Sequence, residues 1–332
     1  MVLSWIAISG CGDGLFTDSH DRAIDHYVSA LSLQYQQKTE EAIYELQQAI
    51  RDDIDFVLAH SMMGEMYRGQ GKNKEAAVAF ESACKIDPWS YEDHFNLGQV
   101  YQILKRFYDA IAALNRATVL HPESAIAHHN LGQCYHETND FEKALTAVNR
   151  ASELDPDNPL ILASLGNIHA KGGAPYEAIR VYQQALELNP DDIEVMVQLG
   201  TVYTDMKRFA PARLVLEKAA EIAPDQPGPH VALAYSLLKE EQYPQAIEAY
   251  ESAMALGENS YRAQSGYAAA NMILYLRTDR KNNEYAQKAL RAWHRSLEIE
   301  PEQPRVKKLI EKYTRQLAAS TITPPTPATP MP

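Results

Sequence analysis

The feature that most constrains this chain is a repeat. Tyr91–Ser124, YEDHFNLGQVYQILKRFYDAIAALNRATVLHPES, and Ala125–Asn158, AIAHHNLGQCYHETNDFEKALTAVNRASELDPDN, align without a gap. His94 falls over His128, Asn96 over Asn130, Leu97-Gly98 over Leu131-Gly132, Tyr101 over Tyr135, Ala110 over Ala144, Ala117 over Ala151 and Pro122 over Pro156. The phase holds along most of the chain. A small residue recurs every thirty-four positions at Ala30, Gly64, Gly98, Gly132, Gly166, Gly200 and Ala234. An alanine recurs at Ala42, Ala76, Ala110, Ala144, Ala178, Ala212 and Ala246, and a bulky residue follows four later at Leu46, Phe80, Leu114, Val148, Tyr182, Leu216 and Tyr250. A repeat of this length is one supersecondary unit that cannot bury its apolar face alone, so the units must stack in a row.

Each unit reads as two helices. His94, Leu97, Gly98 and Tyr101 lie at i, i+3, i+4 and i+7, one stripe of a helix. Ala110, Leu114, Ala117 and Leu120 form the stripe of a second helix. Gly98 and the alanines remove side-chain volume where the two helices cross. Pro122 closes the second helix, because it lacks an amide donor and disfavours a helical residue before it. Pro159 and Pro227 suit the first turn of their helices, where a missing N–H costs nothing.

The pattern of His or aromatic, Leu-Gly, Tyr, Ala, bulky apolar, Ala and Pro resembles the tetratricopeptide repeat. The resemblance implies an all-α, right-handed superhelical solenoid of about eight helix-turn-helix repeats with a C-terminal capping helix. The repeats fall near 23–56, 57–90, 91–124, 125–158, 159–192, 193–226, 227–260 and 261–303. In the eighth, Ala289 comes nine residues late, so the extra length around Leu276–Asn283 lengthens both helices. The apolar run Met272–Leu276 is read in two ways, as packing against neighbouring helices or as a surface for self-association. Val306, Leu309, Ile310, Tyr313 and Leu317 give residues 304–319 the apolar side of a capping helix. The Pro/Thr-rich residues 320–332 are expected to build no core.

Charge narrows the partners. With 31 basic against 44 acidic residues the net charge is −13, which argues against nucleic acid, whose binders need a basic face. Three cysteines, Cys11, Cys84 and Cys134, form no CxxC pair or zinc spacing. The apolar start of the chain ends in Ile8-Ser9-Gly10-Cys11. That ending resembles a bacterial lipobox, which implies lipidation at Cys11 and a place in a bacterial cell envelope. The run lacks a preceding Lys or Arg and is short for a signal segment. A cytoplasmic protein with a coincidental cysteine is the alternative. Residues 1–21 are accordingly read as this segment and a tether to the first repeat.

Nothing supports catalysis or a cofactor. There is no Walker loop, G-x-S-x-G, H-E-x-x-H or GxGxxG. His26, His60, His94, His128 and His230 share one phase, but stacked units hold them too far apart for one metal ion, and packing histidines are expected. Binding is better founded. The tetratricopeptide resemblance implies that the first helix of each hairpin lines an inner groove, where Phe95, Asn96, Gln99, His129, Asn130, Gln133, Asn167 and Gln198 would meet a peptide. A neutral amide offers both a donor and an acceptor, matching the N–H and C=O of an extended chain. Asn96 and Asn130, within HFNLG and HHNLG, resemble the asparagine ladder in the repeat domain of O-linked N-acetylglucosamine transferases. No catalytic domain of that kind is present. The family's carboxylate clamp is also unmatched, since Ser61, Phe95, His129, Ala163, Val197 and Val231 stand where its first lysine would. The expected function is therefore a non-catalytic scaffold that captures a partner peptide or helix, in envelope or pilus assembly. The alternative is a regulatory or substrate-recruiting subunit of a separate enzyme such as a glycosyltransferase.

Overall fold

The structure, a computed structural model, describes residues 14–279 and 282–320. Cys11 and the tail beyond 320 lie outside the described residues. Seventeen helices and no strand occur among those described, and they divide into two compact units between Asp157 and Asn158. The first unit contains α1 (Gly14–Tyr35), α2 (Thr39–Asp52), α3 (Val57–Gly69), α4 (Asn73–Ile86), α5 (Tyr91–Ile103), α6 (Phe107–Leu120), α7 (Ala125–Glu137) and α8 (Phe141–Leu154). The second contains α9 (Pro159–Lys171), α10 (Pro175–Leu188), α11 (Ile193–Asp205), α12 (Phe209–Ile222), α13 (Pro227–Lys239), α14 (Tyr243–Ala255), α15 (Tyr261–Arg277), α16 (Asn283–Ile299) and α17 (Pro304–Ser320). Consecutive helices pair as hairpins, as expected of tetratricopeptide repeats.

The recurrent small residue is where each hairpin closes. A β-carbon added to Gly98 would lie 2.5 Å from Leu114, one on Gly132 2.3 Å from Val148, and one on Gly200 2.4 Å from Leu216. The bulky partners are fully buried, so the glycine exists to admit them. The turn between paired helices is equally regular. Gln37, Gly71, Lys105, Asn139, Gly173, Lys207 and Glu241, thirty-four apart, all take positive φ. Five of the seven are not glycine, although this region costs an L-residue roughly 1–2 kcal/mol. The hairpin packing holds them there.

Ties between hairpins use the tyrosine of the first helix. Tyr101 donates to Glu81, Asn115 donates to Tyr135, and Gln183 donates to Tyr203, each across 20 residues. Three of the in-phase histidines bind backbone. A ring nitrogen of His60 meets the Ile54 carbonyl at 3.0 Å, of His128 the Pro122 carbonyl at 3.1 Å and of His230 the Pro224 carbonyl at 3.3 Å. At the equivalent place beside His94, Arg116 instead donates twice to the Pro88 carbonyl while stacking on Trp89. Ser124 caps α7 by accepting from the Ala127 amide, and its hydroxyl also meets that of Tyr91 at 2.7 Å.

Three readings change. α1 begins at Gly14, so residues 14–21 are helix where a tether was expected. No proline interrupts them, and a packed helix extends at the gain of one hydrogen bond per residue; His20–Asp53 at 2.5 Å and Arg22–Asp52 at 3.4 Å tie this turn to the end of α2. Second, Met272 and Tyr275 are buried and Ile273 and Leu274 half-buried, so the run Met272–Leu276 belongs to the core of the second unit rather than to a self-association surface. Of its residues, only Leu276 counts as exposed. Third, His60, His128 and His230 do more than pack, as their backbone contacts show. α15 and α16 each run 17 residues against 13 or 14 in the other hairpins from α2 onward. α17 covers α16 with Val306, Ile310 and Tyr313, the last stacked on Trp293.

Candidate functional site

In the first unit the first helices of successive hairpins, α3, α5 and α7, place their polar stripes side by side. Arg68, near the end of α3, reaches forward onto α5. Its Nη1 donates to Asn96 Oδ1 at 2.8 Å and to Gln99 Oε1 at 2.9 Å. One repeat later Gln102 repeats the move, donating from Nε2 to the Asn130 carbonyl on α7 at 3.1 Å. Arg68 stands thirty-four residues before Gln102, so in these two repeats the same helix position grips the next first helix.

The sequence-derived residues separate accordingly. Asn96 and Gln99 are brought together, and by a cation the sequence reading missed. Asn130 is nine-tenths buried, and its side-chain amide has no hydrogen-bond partner among the described residues. Gln133 is exposed one turn along. Phe95 is half-buried and stacked on Tyr91 with ring centres 5.6 Å apart. His129 is half-buried, and burial holds its pKa below the ordinary histidine value, which keeps the ring neutral near pH 7. The two thiols of this unit are out of reach of chemistry. Burial pushes both Cys84 and Cys134 up to about 12, far from the thiolate that reaction or metal binding requires.

The second unit uses its residues differently. Asn167 accepts a hydrogen bond from Tyr182 at 2.6 Å, within its own hairpin, so its oxygen serves the packing of α9 on α10. Gln198 is half-buried, but its neighbours Val197 and Thr201 line a cavity of this unit. That cavity of about 1030 Å³ lies between α11, α13, α15 and the start of α17. Tyr250 forms part of its wall, and Gly266 leaves room for the phenol, since a β-carbon there would sit 2.2 Å from the hydroxyl. Apolar residues such as Val231, Leu238 and Val306 dominate it, with Arg262 and Arg305 also on the lining. Among the described residues, no group of three or more metal-ligating side chains is placed to hold an ion.

Comparison with known proteins agrees with this architecture. The family profile described as the cilia and flagella-associated protein 70 C-terminal domain matches residues 22–272. A tetratricopeptide repeat protein from Parabacteroides merdae is similar over 76% of this chain and 99% of its own, at 17% identity and a TM-score of 0.58. PilF of Pseudomonas aeruginosa is similar over 63% of this chain and 95% of its own, at 21% identity and 0.52. A chain of the APC/C hetero-tetramer Cut9–Hcn1 is similar over 91% of this chain and 57% of its own, at 16% identity and 0.60. At these identities the likeness is one of fold. No curated protein matches the chain. With the profile spanning most of the sequence and the hairpins in the expected register, the chain belongs to the tetratricopeptide-repeat family of the cilia and flagella-associated protein 70 C-terminal domain.

Proposed function

We propose that this protein is a non-catalytic scaffold that holds an extended segment of a partner protein on the face formed by α3, α5 and α7. The observation that carries the reading is Asn130. Asn130 is nine-tenths buried as a residue, yet its side-chain amide, which has no partner among the described residues, still reaches the surface and is open to a ligand. An extended peptide laid across α7 supplies both the donor and the acceptor that this amide lacks.

The test is capture from the native organism with a photo-crosslinking residue at exposed Gln133. Asn130→Ala is expected to leave helicity and melting nearly unchanged, because it removes a group the fold does not use, and to lose the crosslinked partner. A partner retained at full yield by Asn130→Ala would refute this placement. The same experiment separates the two pathway readings. A glycosyltransferase among the captured proteins favours a substrate-recruiting subunit, and a pilus or envelope component favours an assembly scaffold. Run separately on membrane and soluble fractions, it also reads the compartment. Lipidation at Cys11 would place the protein with membranes, whereas the matching family is named for cilia and flagella.

A further inference from the structure

Arg68 makes its two hydrogen bonds to neutral oxygens, and it has no carboxylate within ion-pair distance among the described residues. Arg51, Arg116, Arg180 and Arg295 likewise donate to neutral oxygens, whereas other arginines take carboxylates. Arg106 pairs with Asp109, Arg150 with Glu153, Arg213 with Glu217 and Glu240, and Arg277 with Glu241. The bonds that Arg68 does make fix the chemistry around it. A guanidinium only donates, so the atoms of Asn96 and Gln99 facing it must be their oxygens. Both amides are thereby turned with their NH₂ groups away from the arginine.

Every remaining polar atom of the cluster is consequently a donor: Nε and Nη2 of Arg68, Nδ2 of Asn96 and Nε2 of Gln99. None has a partner among the described residues. A peptide backbone, which needs donors and acceptors alternately, suits Asn130 but is only half matched here. An acceptor-only group with a negative charge is matched fully, and a planar guanidinium held by two anchors presents its remaining edge already oriented.

We propose that Arg68, Asn96 and Gln99 form a carboxylate-binding subsite, so that the captured segment carries an Asp or Glu side chain over α5. The inference rests on the capture function proposed above and adds the sign of the partner's charge. A net charge of −13 would by itself favour basic or neutral partners, but the subsite selects an acidic group. Bulk charge sets encounter rates at long range, whereas this subsite acts within hydrogen-bond distance.

The test uses the full chain and three fluorescein-labelled peptides alike except at one central position, which holds Glu, Gln or phosphoserine in an otherwise Ala/Leu/Ser sequence. Binding is read by anisotropy on wild type, Arg68→Gln and Asn130→Ala. The Glu peptide is expected to bind at least about tenfold tighter than the Gln peptide, a difference of about 1.4 kcal/mol. Arg68→Gln should erase that preference, so that the Glu and Gln peptides bind alike. Asn130→Ala should weaken both peptides alike, so its failure bears on the capture reading alone. Equal binding of Glu and Gln peptides by wild type overturns the subsite and leaves capture standing. Phosphoserine outranking Glu by the same margin overturns the carboxylate assignment in favour of a phosphate. If no peptide binds, the Arg68 Nε–H signal followed by NMR during an acetate titration decides. A saturating shift supports the subsite, and a signal unmoved by acetate overturns it.

Discussion

Gly132 shows how little freedom a single position in this fold has. Its missing β-carbon is the space occupied by Val148, a side chain stiff at χ1, and the Ala144 carbonyl and Val148 amide lie 3.2 Å from the same point. Gly132→Ala is expected to destabilise the protein by about 1–3 kcal/mol through overpacking. Gly69→Ala, at the end of α3 where nothing lies within 4 Å of the added carbon, should be neutral or mildly stabilising. Chemical denaturation of the two variants checks the contrast, and equal midpoints would show that hairpin closure is not limiting. The same packing logic was legible in the sequence, because the small and bulky positions recur in register. The role of Arg68 was not. It follows from a hydrogen bond made 28 and 31 residues away, a distance at which sequence periodicity gives position but not the rotamer. The available signal was the equivalence of residues 68 and 102, once Gln102 was recognised as part of the polar stripe.

At the scale of elements, the first helices are held partly by neutral histidines. Burial holds His94, His128, His129 and His169 below the ordinary histidine value, with desolvation the leading cause in each. His94 Nε2 is buried without a partner, and the nearby Arg116 charge further opposes protonation. The unfolded chain therefore binds more protons than the folded one below about pH 6.5, so stability should be lost as pH falls from that value towards the depressed folded-state pKa values. Melting followed by circular dichroism should show a falling Tm between about pH 7 and 5.5, before ordinary carboxylates titrate near 4. The slope should be shallower in a His94→Gln, His129→Gln variant. A Tm constant over this window would mean that these rings titrate as they do in the unfolded chain. That histidines recur was plain from the sequence; that three of them grip the carbonyl ending the previous hairpin was not, since backbone acceptors leave no compositional trace. The start of α1 was missed for a related reason. Polar residues such as His20 read as solvated tether, while the partner Asp53 lies 33 residues on, past the end of α2.

Across the whole molecule, two kinds of contact have different ranges. The glycine-to-bulky contacts stay inside one hairpin, whereas Arg68 reaches into the next. Asn130 and Gln133 stand thirty-four residues after Asn96 and Gln99. Excision of residues 91–124 from the first unit would therefore remove one hairpin whole and bring the Arg68 guanidinium against Asn130 and Gln133. The shortened chain is expected to remain helical and to melt cooperatively, while deletion of only 91–107, which leaves α6 without its partner, should unfold the segment. Circular dichroism on both deletions tests this, and equal loss of structure would show that the hairpin is not the independent module. The anchoring of Arg68 thus lies in the register rather than in any one copy of the repeat. Unequal recombination between neighbouring repeats can lengthen or shorten such a gene, and a product that loses residues 91–124 again sets an arginine beside a pair of amides.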